Sequence, residues 1–144
     1  MAYNGKNYHG WQVQPNAESI QGMMNHAMGL ILREKINLIG AGRTDTGVHA
    51  REFFAHFETT QDLGDDEDLN HLAFKLNNFL PKDIAVYRIF PVGPKVHARF
   101  DATARTYKYY ISRFKDPFQY DTSYYFYGEL NMERMNEAAR ILFS

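Results

Sequence analysis

Two stretches with helical periodicity, each set between strand-like runs, constrain this chain more than any other feature. Ile20, Met23, Met24, Ala27 and Ile31 recur at helical spacing within residues 18–34, with Leu30 on the flank. Ser19 is placed to cap that helix. Leu69, Leu72, Ala73, Leu76 and Phe79 mark a second helix over about 68–79, with Pro81 just beyond as a stop. Strands are expected near the start, where Asn4-Gly5 signals a turn, and over 36–40, 52–59 and 83–90. The order strand, helix, strand, strand, helix, strand is that of the split βαβ. The expected fold class is α+β: a ferredoxin-like N-terminal domain with an antiparallel sheet, followed by the first part of a second, similar domain.

The 44% hydrophobic and 15% aromatic content fits a folded chain rather than a disordered one. No apolar run approaches the ~18 residues that span a bilayer, and the N-terminus reads as no signal peptide. The absence of cysteine excludes disulfides and thiolate metal sites. A cytoplasmic protein with no membrane partner is expected. The net charge of −1 argues against nucleic-acid binding, but the distribution is uneven. Acids crowd 58–68, whereas Lys95, Arg99, Arg105, Lys108, Arg113 and Lys115 face only Asp101 over 95–115. Either a basic groove or an ordinary charged strand surface would account for that stretch.

Between the second and third expected strands lies Gly40-Ala41-Gly42-Arg43-Thr44-Asp45-Thr46-Gly47-Val48-His49-Ala50. A polar loop held by glycines between two core elements is a common way to build a site. A turn in which Asp45 merely caps a backbone N–H is the plainer alternative. The eleven-residue string resembles the signature G-[AC]-G-R-T-D-x-G-V-H-A of the tRNA pseudouridine synthase A family and matches it at every specified position. Tyr3-Asn4-Gly5-Lys6-Asn7-Tyr8-His9-Gly10-Trp11-Gln12 is similar to the family's Y-[DN]-G-x-x-[YF]-x-G-W-Q, ahead of which family members carry more of a first strand. Ala104-Arg105-Thr106-Tyr107-Lys108-Tyr109 is similar to its A-x-R-x-Y-x-Y.

Val92-Gly93-Pro94 breaks the pattern, so a boundary is expected there, with domains at 1–93 and 94–144. In the second, a strand is expected over Ala102 to Phe114 and a short aromatic one over Tyr124–Tyr127. A helix capped by Asn131 should place Met132, Met135, Ala139, Leu142 and Phe143 on one face. These apolar faces lack partners within the 144 residues, so the chain reads as the N-terminal part of a longer protein.

The resemblance implies isomerisation of uridine to pseudouridine in the anticodon stem-loop of tRNA, at expected positions 38–40, with no cofactor and no metal. It implies Asp45 as the catalytic carboxylate and Arg43 as the residue that holds the flipped-out nucleotide, although Arg43 could instead pair with Asp45. Tyr107 would stack on the target base; without the resemblance it reads as a core or edge aromatic. Arg105 would pair with Asp45 or contact a phosphate. Thr44, Gly42, Gly47 and His49 would position the loop. Trp11 and Tyr8 could stack on RNA, but burial near a strand end is the expected use. No H-x-x-x-H or H-x-H occurs among the six histidines, so no metal is expected. In the family, a second basic residue and an apolar residue beneath the base come from the C-terminal half, and nothing in these 144 residues matches them. The family's dimers, with tRNA across both subunits, make a homodimer the expected assembly. A non-catalytic RNA-binding module on the same scaffold is the alternative. A carboxylate glycoside hydrolase is weaker, since that chemistry uses two carboxylates about 5–9 Å apart.

Overall fold

The computed structural model describes residues 1–142. It divides into two compact units, Met1–Arg105 and the stretch from Thr106 onward. In the first, β1 (Ala2–Tyr3) leads through a single 3-10 turn, Gly5–Asn7, to α1 (Ile20–Leu32). Then follow β2 (Ile39–Gly40), β3 (Ala55–His56), α2 (Asp66–Phe79) and β4 (Ile84–Ala85). This is the order read from the sequence.

β1 pairs antiparallel with β4, and β2 antiparallel with β3. Backbone bonds join the two ladders. Tyr3 and Ala50 exchange both of theirs at 2.8 and 2.9 Å. Phe53 N–H donates to the Met1 carbonyl at 2.8 Å, and the Met1 amino group donates to the Phe53 carbonyl at 3.0 Å. Residues 50–53 therefore lie along β1, and the same run continues as β3 beside β2. The resulting order, β4-β1-β3-β2, is that of a ferredoxin-like α+β domain.

The ladders are shorter than the apolar runs at 36–40, 52–59 and 83–90, because helix side chains take over the strand ends. Leu38 N–H donates to Asn25 Oδ1 at 2.9 Å, and Gln21 Nε2 donates to the Leu38 carbonyl at 2.7 Å. At the opposite edge the Asn77 amide donates to the Val86 carbonyl and accepts from Val86 N–H, both at 2.8 Å. These bonds satisfy backbone groups that a sheet edge otherwise leaves open.

The core is one cluster in which Trp11, Tyr3 and Phe53 meet Ile20, Met24, Met28 and Leu76. The Trp11 and Phe53 ring centroids lie 4.4 Å apart. Ser19 caps α1, its Oγ accepting from Gly22 N–H at 3.2 Å. The α1 core face is rotated from the one read in the sequence: Met28 and Leu32 are buried while Leu30 is exposed. α2 begins two residues before the expected start because Asp65 and Asp68 form a capping box. Its last turn points Leu80 inward and leaves Phe79 exposed.

In the second unit only Ile111–Ser112 (β5) of the expected 102–114 strand is paired, parallel to β6 (Tyr124–Tyr125). Among the described residues no further strand pairs with that run, and an unpaired strand has nowhere to place its N–H and C=O groups but water. Asn131 caps α3 (Met132–Ile141), its Oδ1 accepting from Arg134 N–H at 3.0 Å. No residue of α3 is buried. Phe143, expected on its apolar face, lies outside the described residues. Among the described residues, no helix is long and apolar enough to cross a membrane.

Candidate active site

The loop between β2 and β3 is fixed at both ends before its charged residues are placed. Ala41 N–H donates to the Phe54 carbonyl at 2.8 Å, extending the β2–β3 ladder by one bond. Further on, the Thr44 carbonyl accepts from Trp11 N–H at 3.0 Å, and Gly47 N–H donates to the Tyr8 carbonyl at 3.2 Å. Segment 8–11 is itself held by α1, whose Ile20 and Gln21 N–H groups donate to the Gly10 and Trp11 carbonyls at 3.2 and 2.9 Å. The unpaired first turn of the helix thus orients the strip on which the loop rests.

Two glycines make this approach possible. Gly10 has φ +84°, and a Cβ there would stand 2.3 Å from the Thr44 carbonyl oxygen. Gly47 turns the chain at φ +79° with open space around it. Both conformations disfavour side chains.

Beneath the loop, Trp11 is 2% exposed, so it supports the site as core. Thr44 Oγ1 shares a 2.9 Å hydrogen bond with the Tyr3 hydroxyl. His49 Nδ1 accepts from Gly5 N–H at 3.0 Å. Tyr8 is buried and donates to Asp83 Oδ1 at 2.8 Å. Burial first, and then that carboxylate, push its hydroxyl above the usual tyrosine range.

Above this support opens a cleft of about 510 Å³ lined by His9, Gln12, Val13 and Gln14 on one side and Arg43, Thr44, Asp45 and Thr46 on the other. Arg43 and Asp45 are exposed. Among the described residues, neither the Asp45 carboxylate nor the Arg43 guanidinium has a hydrogen-bond or ion-pair partner. The cleft offers one carboxylate, one planar cation and several amide groups to a polar ligand.

Arg105 belongs to the same unit. Its Nε and Nη2 donate to the Ala41 carbonyl at 2.8 and 2.6 Å, and Nη2 also donates to the Arg99 carbonyl at 2.7 Å. Gly42 lies alongside, where a Cβ would be 3.3 Å from Arg105 Nε. Tyr107 belongs to the second unit and is 61% exposed. The basic stretch divides likewise, with Lys95, Arg99 and Arg105 in the first unit and Lys108, Arg113 and Lys115 in the second.

The sequence that builds this loop and sheet has relatives. The model of the tRNA pseudouridine synthase family matches residues 1–101. The chain belongs to that family. A tRNA pseudouridine synthase A from Parabacteroides distasonis is 52% identical over 143 residues, covering 99% of this chain and 56% of the relative. One from Bacteroides thetaiotaomicron is 54% identical over 143 residues, with 99% and 52% covered. One from Aquifex aeolicus is 38% identical over 135 residues, with 92% and 54% covered. The chain thus spans about half the length of the curated relatives it matches.

Two features of this synthase-family chain were not visible in its sequence. His9, Gln12 and Gln14 line the cleft, whereas the motif around them suggests only strand and turn. His56 and His97 come together, their ring centroids 4.7 Å apart, although 41 positions separate them. His56 Nδ1 accepts from Ala98 N–H at 3.1 Å. Burial first, and then His97, hold His56 below the usual histidine range, against the opposing pull of Glu58 and Asp101. Among the described residues, no three His, Asp or Glu side chains converge on a metal position.

Proposed function

We propose that the full-length protein isomerises uridine to pseudouridine within tRNA, with Asp45 as the catalytic carboxylate. The observation that carries this reading is the exposed, unpartnered Asp45 carboxylate in a cleft beside Arg43, on a loop fixed from both sides. In the reaction the N1–C1′ bond breaks, the base turns over, and C5 bonds to C1′. The proton on C5 is lost and N1 regains one, so there is no net redox change. A positioned carboxylate, an exposed base and exclusion of water are what such a step requires of the protein.

A base inside a stem must leave its stack, at a cost of a few kcal/mol. Arg43 is the group proposed to offset it, by stacking and by contacting phosphate. Tyr107 is proposed to stack on the target base. Thr44, Gly42, Gly47 and His49 hold the loop in this reading. The target is the anticodon stem-loop, the assembly a homodimer, and the setting the cytoplasm. The proposed domains are 1–93, which carries the loop, and 94–144, which begins the second, although the compact unit that holds the loop runs on to Arg105.

Tritium release from tRNA labelled at uracil C5, with the full-length protein, tests this. Asp45→Asn should abolish release and leave tRNA binding within about twofold, since the variant keeps the shape of the site. Binding without release by the wild type would identify a non-catalytic RNA-binding module instead.

A further inference from the structure

Arg105 occupies a position that the proposed chemistry leaves unused. Its planar guanidinium spans two backbone carbonyls, Ala41 at the start of the Asp45 loop and Arg99 in the turn at 97–101. That turn is firmly tied. Asp101 Oδ2 accepts from His97 N–H at 2.7 Å, and His97 stacks on Phe100 at 4.2 Å. Ala98 N–H anchors the turn to β3 through His56. With Phe54 holding its N–H and Arg105 its carbonyl, Ala41 is pinned on both sides. Arg43 hangs between this point and the Thr44 carbonyl, and Asp45 follows directly, between that carbonyl and Gly47 N–H. Gly42 lets the guanidinium pack close to the loop backbone.

We propose that Arg105 is a positioning residue, which ties the Asp45 loop to the 97–101 turn and so fixes where the carboxylate stands. This rests on the proposed function for what the carboxylate does, but not for the tie itself. A guanidinium fork makes such a double contact and a lysine ammonium does not. A phosphate contact, in contrast, is largely kept by lysine, which still offers a point charge. The conservative variant therefore separates the two roles.

The test uses full-length protein carrying Arg105→Lys, Arg105→Gln, Gly42→Ala, and Gly42→Ala with Arg105→Gln. Tritium release at saturating tRNA should fall by about tenfold to about a hundredfold in the three variants that lack Arg105, as expected for a misplaced reacting group, and by no more than about threefold in Gly42→Ala, whose Cβ asks the Arg105 side chain for only a small shift. The double variant should be no worse than Arg105→Gln alone, since the alanine methyl group then meets no guanidinium. tRNA affinity should stay within about twofold, and amide hydrogen exchange over 40–46 should quicken. Weakened tRNA binding with unchanged turnover, restored by Arg105→Lys, would overturn the proposal in favour of a phosphate contact. Unchanged exchange over 40–46 in Arg105→Lys would overturn it whatever the activity. If the wild type shows no release at all, the synthase reading fails, and the exchange measurement still decides the tie.

Discussion

Replacing Gly10 with alanine probes the contact that holds the Asp45 loop from below. Two separate penalties meet there. A side chain at φ +84° costs about 1–2 kcal/mol in left-handed strain. Its Cβ would also lie 2.3 Å from the Thr44 carbonyl oxygen, a distance no real Cβ tolerates. That carbonyl is backbone, held by Trp11 N–H, so the two strands of chain must part and the bond is lost. Forced overpacking of this kind costs about 1–3 kcal/mol, and a lost hydrogen bond about 1. The sum is about 3 kcal/mol or more. Two other glycines supply the controls. Gly47→Ala carries the strain alone, since nothing lies within 4 Å of its Cβ position, and should cost about 1 kcal/mol. Gly93→Ala carries neither penalty and should fall within about 0.5 kcal/mol of wild type. Equilibrium urea unfolding of the full-length protein, followed by Trp11 fluorescence, measures all three. Gly10→Ala should lower the midpoint by about 1 M or more. Equal midpoints for Gly10→Ala and Gly47→Ala would refute the close approach; equality of Gly10→Ala with Gly93→Ala would refute the strain as well.

Trp11→Ala should destabilise by about 3–5 kcal/mol, because it empties the core beneath the loop beside Phe53; a loss under about 1 kcal/mol in urea unfolding followed by far-UV circular dichroism would mean the site does not rest on Trp11. His56 gives a pH dependence. Its folded-state proton affinity is depressed by burial and by His97, against Glu58 and Asp101, so its contribution to stability is complete above the unfolded value of 6.5 and is lost as pH falls through that range. The urea midpoint should therefore decline from pH 8 to pH 5.5, and His56→Gln should flatten the decline; an unchanged slope in that variant would remove His56 as the cause.

The order of elements was legible because each signal is local. Helical periodicity, the Ser19 and Asn131 caps and the break at Pro81 act within a turn or two of chain. The glycine-held loop was legible as a string, and its match to one family's signature gave the class of chemistry. Strand extents were not legible, because Leu38 and Val86 are sequestered by Gln21, Asn25 and Asn77, side chains whose reach depends on how helix and sheet pack. Hydrophobic pattern specifies which face a residue favours, not which partner its backbone finds.

Residue order alone dictates the α+β succession and names the loop that carries a carboxylate and a guanidinium. What holds that loop depends on the folded chain. Arg105 reaches Ala41 across 64 positions, His56 reaches Ala98 across 42, and Trp11 reaches Thr44 from another segment altogether. The sheet and α1 had to close before these groups met. Local chemistry sets what a residue can bond to, and chain closure sets which of those partners comes within hydrogen-bond distance.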